Sequence, residues 1–116
     1  MSEVAADGEW APQACTLPAV ERPLRVAEFD ALFAACVRGI ERVEPGRLRL
    51  GLEATPQTAG RAAELAAAET ACCSFFTFTL IATGGRLSLE VTVPAQHIGV
   101  LDALADRAAK HAGTAP

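Results

Sequence analysis

The sequence predicts a single α+β domain with the element order α-β-β-α-β-β-α and a four-stranded, mainly antiparallel sheet that carries its helices on one face. Three observations predict this fold. The chain has 116 residues, of which 51% are hydrophobic and 21% charged, a size and balance typical of one globular domain. Two segments alternate apolar and polar residues on either side of a glycine-containing turn. Three further segments are predicted helices: two carry apolar residues at spacings of three and four, and the third has a helix start signal and a high alanine content.

We place the domain at residues 24–112, between a flexible arm at residues 1–23 and a short tail at residues 113–116. The arm is rich in alanine and proline and has no clear period. From Arg25 onward a helical stripe of apolar residues begins. Its members are Phe29, Leu32, Phe33, Cys36 and Val37. Cysteine behaves as a small apolar residue in such a stripe, so we expect Cys36 to lie in the core.

The first hairpin is predicted from a change of period after this helix. Leucines at positions 48, 50 and 52 alternate with Arg47, Arg49 and Gly51, which indicates a half-buried strand. A strand from about residue 38 to residue 43 would pair with it across the Pro45-Gly46 turn. Its own alternation is poor.

The second helix has a clear start signal. Thr55 is a favourable N-cap, and Pro56 follows at the first helical position, where its missing N–H is harmless. The alanine-rich run that follows has high helix propensity as far as about Cys73.

The second hairpin and a last helix complete the domain. Residues 76–81 and 87–93 both alternate, and the Thr83-Gly84-Gly85 turn separates them. The last helix is expected to start at Pro94. The sheet face away from the helices should be polar enough to face water or a partner subunit. Its expected members are Thr77, Thr79, Ser88, Glu90, Thr92 and the arginines of the first hairpin.

Composition excludes several functions. The formal net charge is −4 and no stripe of basic residues is left over for phosphate contacts, so we expect no binding to nucleic acid. No apolar stretch reaches the roughly 18 to 20 residues that cross a bilayer, so we expect no membrane association. The N-terminus carries acids where a signal peptide carries bases, which predicts a cytoplasmic protein. In that reducing compartment the four cysteines are expected to be free thiols, metal ligands or a redox site.

One cluster could carry chemistry. Glu69 lies three and four positions before Cys72 and Cys73, so all three share one end of the second helix. Adjacent helical residues point about 100° apart, and the two thiols can converge only if the helix ends there. Neighbouring Cα atoms are about 3.8 Å apart, closer than the roughly 4.4 Å that disulfides usually need. The two thiols should therefore act together without bonding to each other.

The electrostatic setting of this cluster favours a cation. A helix C-terminus is partially negative and Glu69 adds a carboxylate, so both oppose the free thiolate of a nucleophilic cysteine. A bound cation would be stabilised by all of these groups. We predict a metal site of Cys72, Cys73 and Glu69, with Cys15 of the arm as a further ligand. Two thiolates suit Zn(II), Cu(I) or Hg(II). Whether His97 joins the site stays open.

Two alternatives remain. The chain could be a thiol-dependent enzyme, either a reductase or a lyase that captures an organometal or an arsenical, with Glu69 as the general acid. It could also be a structural or dimerising module, with Cys72 and Cys73 as core filler in an alanine-rich helix. In that case the open sheet face would pair with a second copy or with another subunit, so a homodimer is one of the expected assemblies.

The stretch from Leu65 to Phe78 resembles small bacterial proteins that carry a Glu-x-x-Cys-Cys-x-Phe-x-x-Phe pattern. These proteins occur alone or behind a helix-turn-helix of the MerR type, and their function is mostly undefined, with a suspected link to mercury or other thiophilic metals. The match extends over about residues 16–108. No helix-turn-helix precedes the pattern here, so the resemblance implies a sensing or binding domain in which Glu69, Cys72 and Cys73 are the functional residues.

Overall fold

A computed structural model describes residues 22–112 of the chain, and the predicted α+β fold and element order are confirmed there. Cys15 and most of the predicted arm lie outside the described residues. The main elements of the described part are α1 (Arg22–Cys36), β1 (Val37–Glu44), β2 (Arg47–Leu52), α2 (Pro56–Cys72), β3 (Thr77–Thr83), β4 (Arg86–Thr92) and α3 (Ile98–His111).

The four strands form one antiparallel sheet in the order β1-β2-β4-β3. Each predicted hairpin forms, and β2 and β4 join the two hairpins in the middle. Leu50 faces Ile40 of β1 on one side and Leu89 of β4 on the other. The β1–β2 register shifts near both ends of β1, which explains why the sequence alternation of β1 is poor.

Glycines shape both hairpin turns. Gly84 and Gly85 have φ angles of 57° and 76°, the left-handed conformation that two-residue hairpin turns require. Gly46 is needed for a different reason, because a Cβ there would lie 2.8 Å from the carbonyl oxygen of Val93. The backbone N–H of Val93 donates to the Gly46 carbonyl at 2.9 Å, so the first turn is attached to the end of β4.

The core lies between the helices and one face of the sheet. That face carries the alternating leucines and valines of β2 and β4, and the apolar stripes of α1 and α3 cover it. The largest fully buried apolar side chains are Phe29, Leu32, Phe33, Leu48, Leu50, Leu89, Leu101 and Leu104. Cys36 is 3% exposed and belongs to the same cluster, as predicted.

The opposite face of the sheet differs from the prediction at one position. Glu90 was expected to face water, and this is wrong, since the residue is only 7% exposed. Arg49 donates to the Glu90 carboxylate at 2.8 Å, and Arg47 lies 3.5 Å from it, so the arginines of the neighbouring strand cover the acid. The hydrogen bond and the charge of Glu90 raise the pKa of Arg49. A cross-strand acid can thus be buried on a polar face when two bases flank it.

Ion pairs attach α3 to the rest of the domain. A 3-10 turn (Ala95–His97) precedes this helix, where the sequence predicts a continuous helix from Pro94. Asp102 accepts a hydrogen bond from Arg42 of β1 at 2.6 Å. Arg107 donates through two nitrogens to Asp30 of α1, and this contact raises the pKa of Arg107. Among residues 22–112, no helix is both long and apolar enough to cross a membrane.

Candidate functional site

Helix α2 carries the candidate cluster at its C-terminal end, and its start is as predicted. Thr55 is the N-cap, and its side-chain oxygen accepts a hydrogen bond from the backbone N–H of Thr58 at 3.1 Å. Pro56 is the first helical residue. The cap satisfies one of the N–H groups that a helix start leaves unpaired, so the position of α2 along the chain is well defined.

The helix ends between the two cysteines. Cys72 is the last helical residue, whereas Cys73 has φ −122° and ψ 90°, which is extended backbone. The N–H of Cys73 still donates to the Glu69 carbonyl at 2.7 Å and closes the last turn. Because Cys73 has left the helix, the 100° divergence of adjacent helical side chains no longer applies to the pair. The helix end that the sequence predicts at this point is therefore present.

The two cysteines differ in exposure, and Cys73 is disulfide-bonded. Cys73 is 0% exposed and belongs to the core cluster, whereas Cys72 is half-buried and packs against the edge of that cluster. Of the two side chains, only that of Cys72 is therefore reached by solvent.

Aromatic rings follow the cysteines along the chain. Phe76 is 3% exposed and its ring centroid lies 4.7 Å from that of Phe75 and 5.4 Å from that of Phe78. The ring of His97 stacks on Phe75 with centroids 4.1 Å apart. Phe76 belongs to the core, while Phe75 and Phe78 are half-buried against it.

Glu69 has a partner that sequence reasoning missed. Its carboxylate is 1% exposed, and Nη1 of Arg25 donates to Oε1 at 3.0 Å. Burial raises the pKa of Glu69, and the hydrogen bond and charge of Arg25 partly offset that rise. One signal could have revealed the pair: Arg25 lies four and seven positions before Phe29 and Leu32, on the buried stripe of α1. A base on a buried stripe needs an acid partner.

This ion pair changes the role expected for Glu69. One carboxylate oxygen is engaged by Arg25, and the pair is neutral as a unit, so Glu69 does not add a full negative charge beside the thiols. Among residues 22–112, no group of three or more His, Cys, Asp and Glu side chains is arranged to hold a metal ion. Glu69, Cys72 and Cys73 therefore do not form such a group by themselves. The predicted fourth member, Cys15, is outside the described residues.

Cys36 occupies a separate environment. Its Sγ accepts hydrogen bonds from Oγ1 of Thr58 at 3.4 Å and from Nη1 of Arg61 at 3.9 Å. Both donors belong to the first half of α2, whereas Cys72 is its last residue. At 1.5 Å per helical residue, Thr58 and Cys72 are roughly 20 Å apart along the axis. Cys36 is thus a cysteine of the same chain that is remote from the cluster.

Replacing Glu69 with glutamine is expected to remove one pH-dependent contribution to stability. A carboxyl whose pKa is raised on folding binds its proton more tightly in the folded state, so its contribution is present below its ordinary pKa of 4.5 and is lost as the pH rises through the raised value. The free energy of unfolding of the wild type minus that of Glu69→Gln should therefore fall with rising pH in this window. The slope should not exceed about 1.4 kcal/mol per pH unit.

Urea unfolding between pH 4 and pH 8 measures this difference. Glu64→Gln, the same chemical change at an exposed position of α2, is the matched control. A difference curve for Glu69→Gln that rises with pH, or that follows the Glu64→Gln curve, would contradict the effect of burial.

Comparisons of the chain with models of known families, with curated proteins and with solved structures give no match. A function for this chain is therefore argued from Glu69, Cys72 and Cys73 and from their contacts.

Proposed function

We propose that this protein, once the disulfide of Cys73 is reduced, binds a soft or borderline metal ion through the thiolates of Cys72 and Cys73. The observation that carries the proposal is the end of α2 between these two residues, with Cys72 helical and Cys73 extended. Thiolates are the protein ligands that soft ions prefer. The resemblance of this segment to bacterial proteins with a suspected link to thiophilic metals points in the same direction.

The burial of the pair supports a weakly hydrated ion. Cys73 is inaccessible to solvent and Cys72 is half-buried, so an ion bound to both sulfurs gives up most of its water. A strongly hydrated ion such as Mg(II) dehydrates reluctantly and prefers oxygen ligands. Cu(I) and Hg(II) gain more from sulfur than they lose in hydration.

The charges around the pair also fit a cation. In the reduced protein the two thiolates carry a charge of −2, while Glu69 and Arg25, 3.0 Å apart, neutralise each other. A divalent ion would balance the thiolates, and the partially negative C-terminus of α2 adds to its stabilisation. Glu69 then acts as a positioning residue: its contact with Arg25 attaches the last turn of α2 to α1.

The number of ligands separates the candidate ions. Two thiolates satisfy Hg(II) or Cu(I), which accept two sulfur ligands. Zn(II) usually takes four ligands and would draw on further groups. Cys15 is the candidate for a third, as predicted from the sequence. Replacing Cys15 should therefore weaken Zn(II) binding much more than Hg(II) binding.

Anaerobic titration in the presence of a phosphine reductant tests the proposal. The wild type should bind Hg(II) and Cu(I), and Cys72→Ser combined with Cys73→Ser should lower the affinity at least about 1,000-fold, since both soft ligands are lost. Competition with a chelator of known affinity gives the constants. The bound ion should also raise the melting temperature of the wild type alone.

Cys36→Ser is the matched control, because Cys36 is remote from the pair and serine can still accept from Thr58 and Arg61. Its affinity should equal that of the wild type. Equal affinity of the double variant and the wild type would refute the proposal. Release of a hydrocarbon from an added organomercurial, with turnover, would instead favour the lyase alternative.

A further inference from the structure

Strand β3 has an open edge with unusual composition. It is the outermost strand of the sheet, and within residues 22–112 no other strand pairs with its outer edge. Its sequence from Thr77 to Thr83 contains no charged residue, no proline and no glycine. Leu80, at its centre, is 38% exposed and is one of the two exposed large apolar residues in the described part of the chain.

The opposite edge of the sheet is built differently. β1 carries charged residues along its length, contains Gly39, and has register shifts in its pairing with β2. Charges and bulges of this kind are common devices that prevent an edge strand from pairing with another chain. β1 has them and β3 does not, so only the β3 edge is suited to strand addition.

The β3 edge is also complementary to itself. In an antiparallel pair centred on Leu80, Leu80 faces its own copy, Thr79 faces Ile81 of the copy, and Thr77 faces Thr83. No like charges meet, and threonine pairs and apolar pairs are favourable cross-strand neighbours. We propose that two copies of this chain pair through their β3 edges and form one continuous eight-stranded sheet.

This pairing closes on itself. The same edge is used by both copies around a twofold axis, so no β3 edge is left for a third chain. The β1 edges become the two ends of the sheet, and their charges and register shifts stop further growth. The exposed surface of Leu80 becomes covered by its copy. A discrete dimer, and not a fibre, is the expected product.

The dimer brings each candidate metal site near the partner. Cys73 lies four residues before Thr77, and in the proposed register Thr77 faces Thr83 of the copy. The Gly84-Gly85 turn of the copy would therefore lie beside the segment that connects the cysteines to β3. The two Thr77 Cα atoms would be about 20 Å apart along the strand direction.

Charge substitutions test both the surface and the register. Thr79→Lys combined with Ile81→Lys places lysine opposite lysine twice in the proposed pair, whereas Thr79→Lys combined with Ile81→Glu places lysine opposite glutamate twice. We expect the wild type to sediment as a dimer. The first variant should raise the dissociation constant at least about 100-fold, and the second should remain a dimer.

Sedimentation equilibrium of the full-length chain over a concentration series gives these constants, and circular dichroism verifies that both variants are folded. A monomeric wild type overturns the proposal. A dimer that persists with both lysines overturns it as well, because another surface must then hold the copies together. If both variants are folded and equally dissociated, the proposed register is wrong.

Discussion

Replacing Arg25 with methionine is expected to lower the free energy of unfolding by about 3 kcal/mol at pH 8, because it leaves the Glu69 carboxylate buried without its partner. The methionine keeps most of the apolar stem of the arginine, so lost packing contributes little. The pKa of Glu69, already raised by burial, should rise further when the offsetting charge is removed. Since Glu69 can then take up a proton, the loss of stability should be smaller at pH 5 than at pH 8.

A double-mutant cycle with Glu69→Gln isolates the contact. The combined variant has no buried charge at this position, so its loss of stability should be smaller than the sum of the two single losses. Urea unfolding of the four proteins at both pH values gives the coupling energy. Additive losses at pH 8 would mean that Arg25 stabilises α1 independently of Glu69.

Replacing Leu50 with alanine is expected to cost about 3 kcal/mol of stability. Leu50 is 0% exposed and lies on β2 in the middle of the sheet, facing Leu89 of the second hairpin. The core residues around it come from the sheet and from the helices that cover one face of the sheet, and they cannot all move to fill the space. The lost transfer free energy and the remaining cavity therefore add.

Ile40→Ala is the matched control for this substitution. Ile40 faces Leu50 across the first hairpin and is 39% exposed. Its replacement removes a side chain of the same size as that of leucine. Its loss should stay below about 1 kcal/mol, since solvent already reaches the side chain. Urea unfolding measures both losses. The slope of the free energy of unfolding against urea concentration should be the same in both variants as in the wild type. Equal losses at positions 40 and 50 would show that the two sheet positions do not differ in burial.

The local features of the fold could be predicted from the sequence because each depends on residues close together in the chain. Thr55 and Pro56 define the start of α2, and Gly84 and Gly85 define the second turn, without reference to the rest of the molecule. The same is true of the helix end at Cys72, where the period changes. Helix caps, hairpin turns and the core position of Cys36 were therefore predictable.

The electrostatic environment could not be predicted in the same way, because it depends on groups far apart in the sequence. Arg25 and Glu69 are 44 residues apart, and Arg49 and Glu90 are 41 apart. The environment of each acid was predicted from its own helix or strand alone, because the base that contacts it lies on a distant segment of the chain. For the candidate site this matters most at Glu69, which was predicted as a ligand without the Arg25 guanidinium that contacts one of its oxygens.

The pairing of β2 with β4 has a kinetic consequence. β1 with β2 and β3 with β4 pair across tight turns, so each hairpin closes a short loop and loses little chain entropy. Joining β2 to β4 instead encloses α2 and β3 within a longer loop, since the nearest paired residues, Leu52 and Leu87, are 35 positions apart in the sequence. Contacts between distant segments slow folding. The pairing of β2 with β4, where Arg49 contacts Glu90, is therefore expected to be the slow step that joins the two hairpins into one domain.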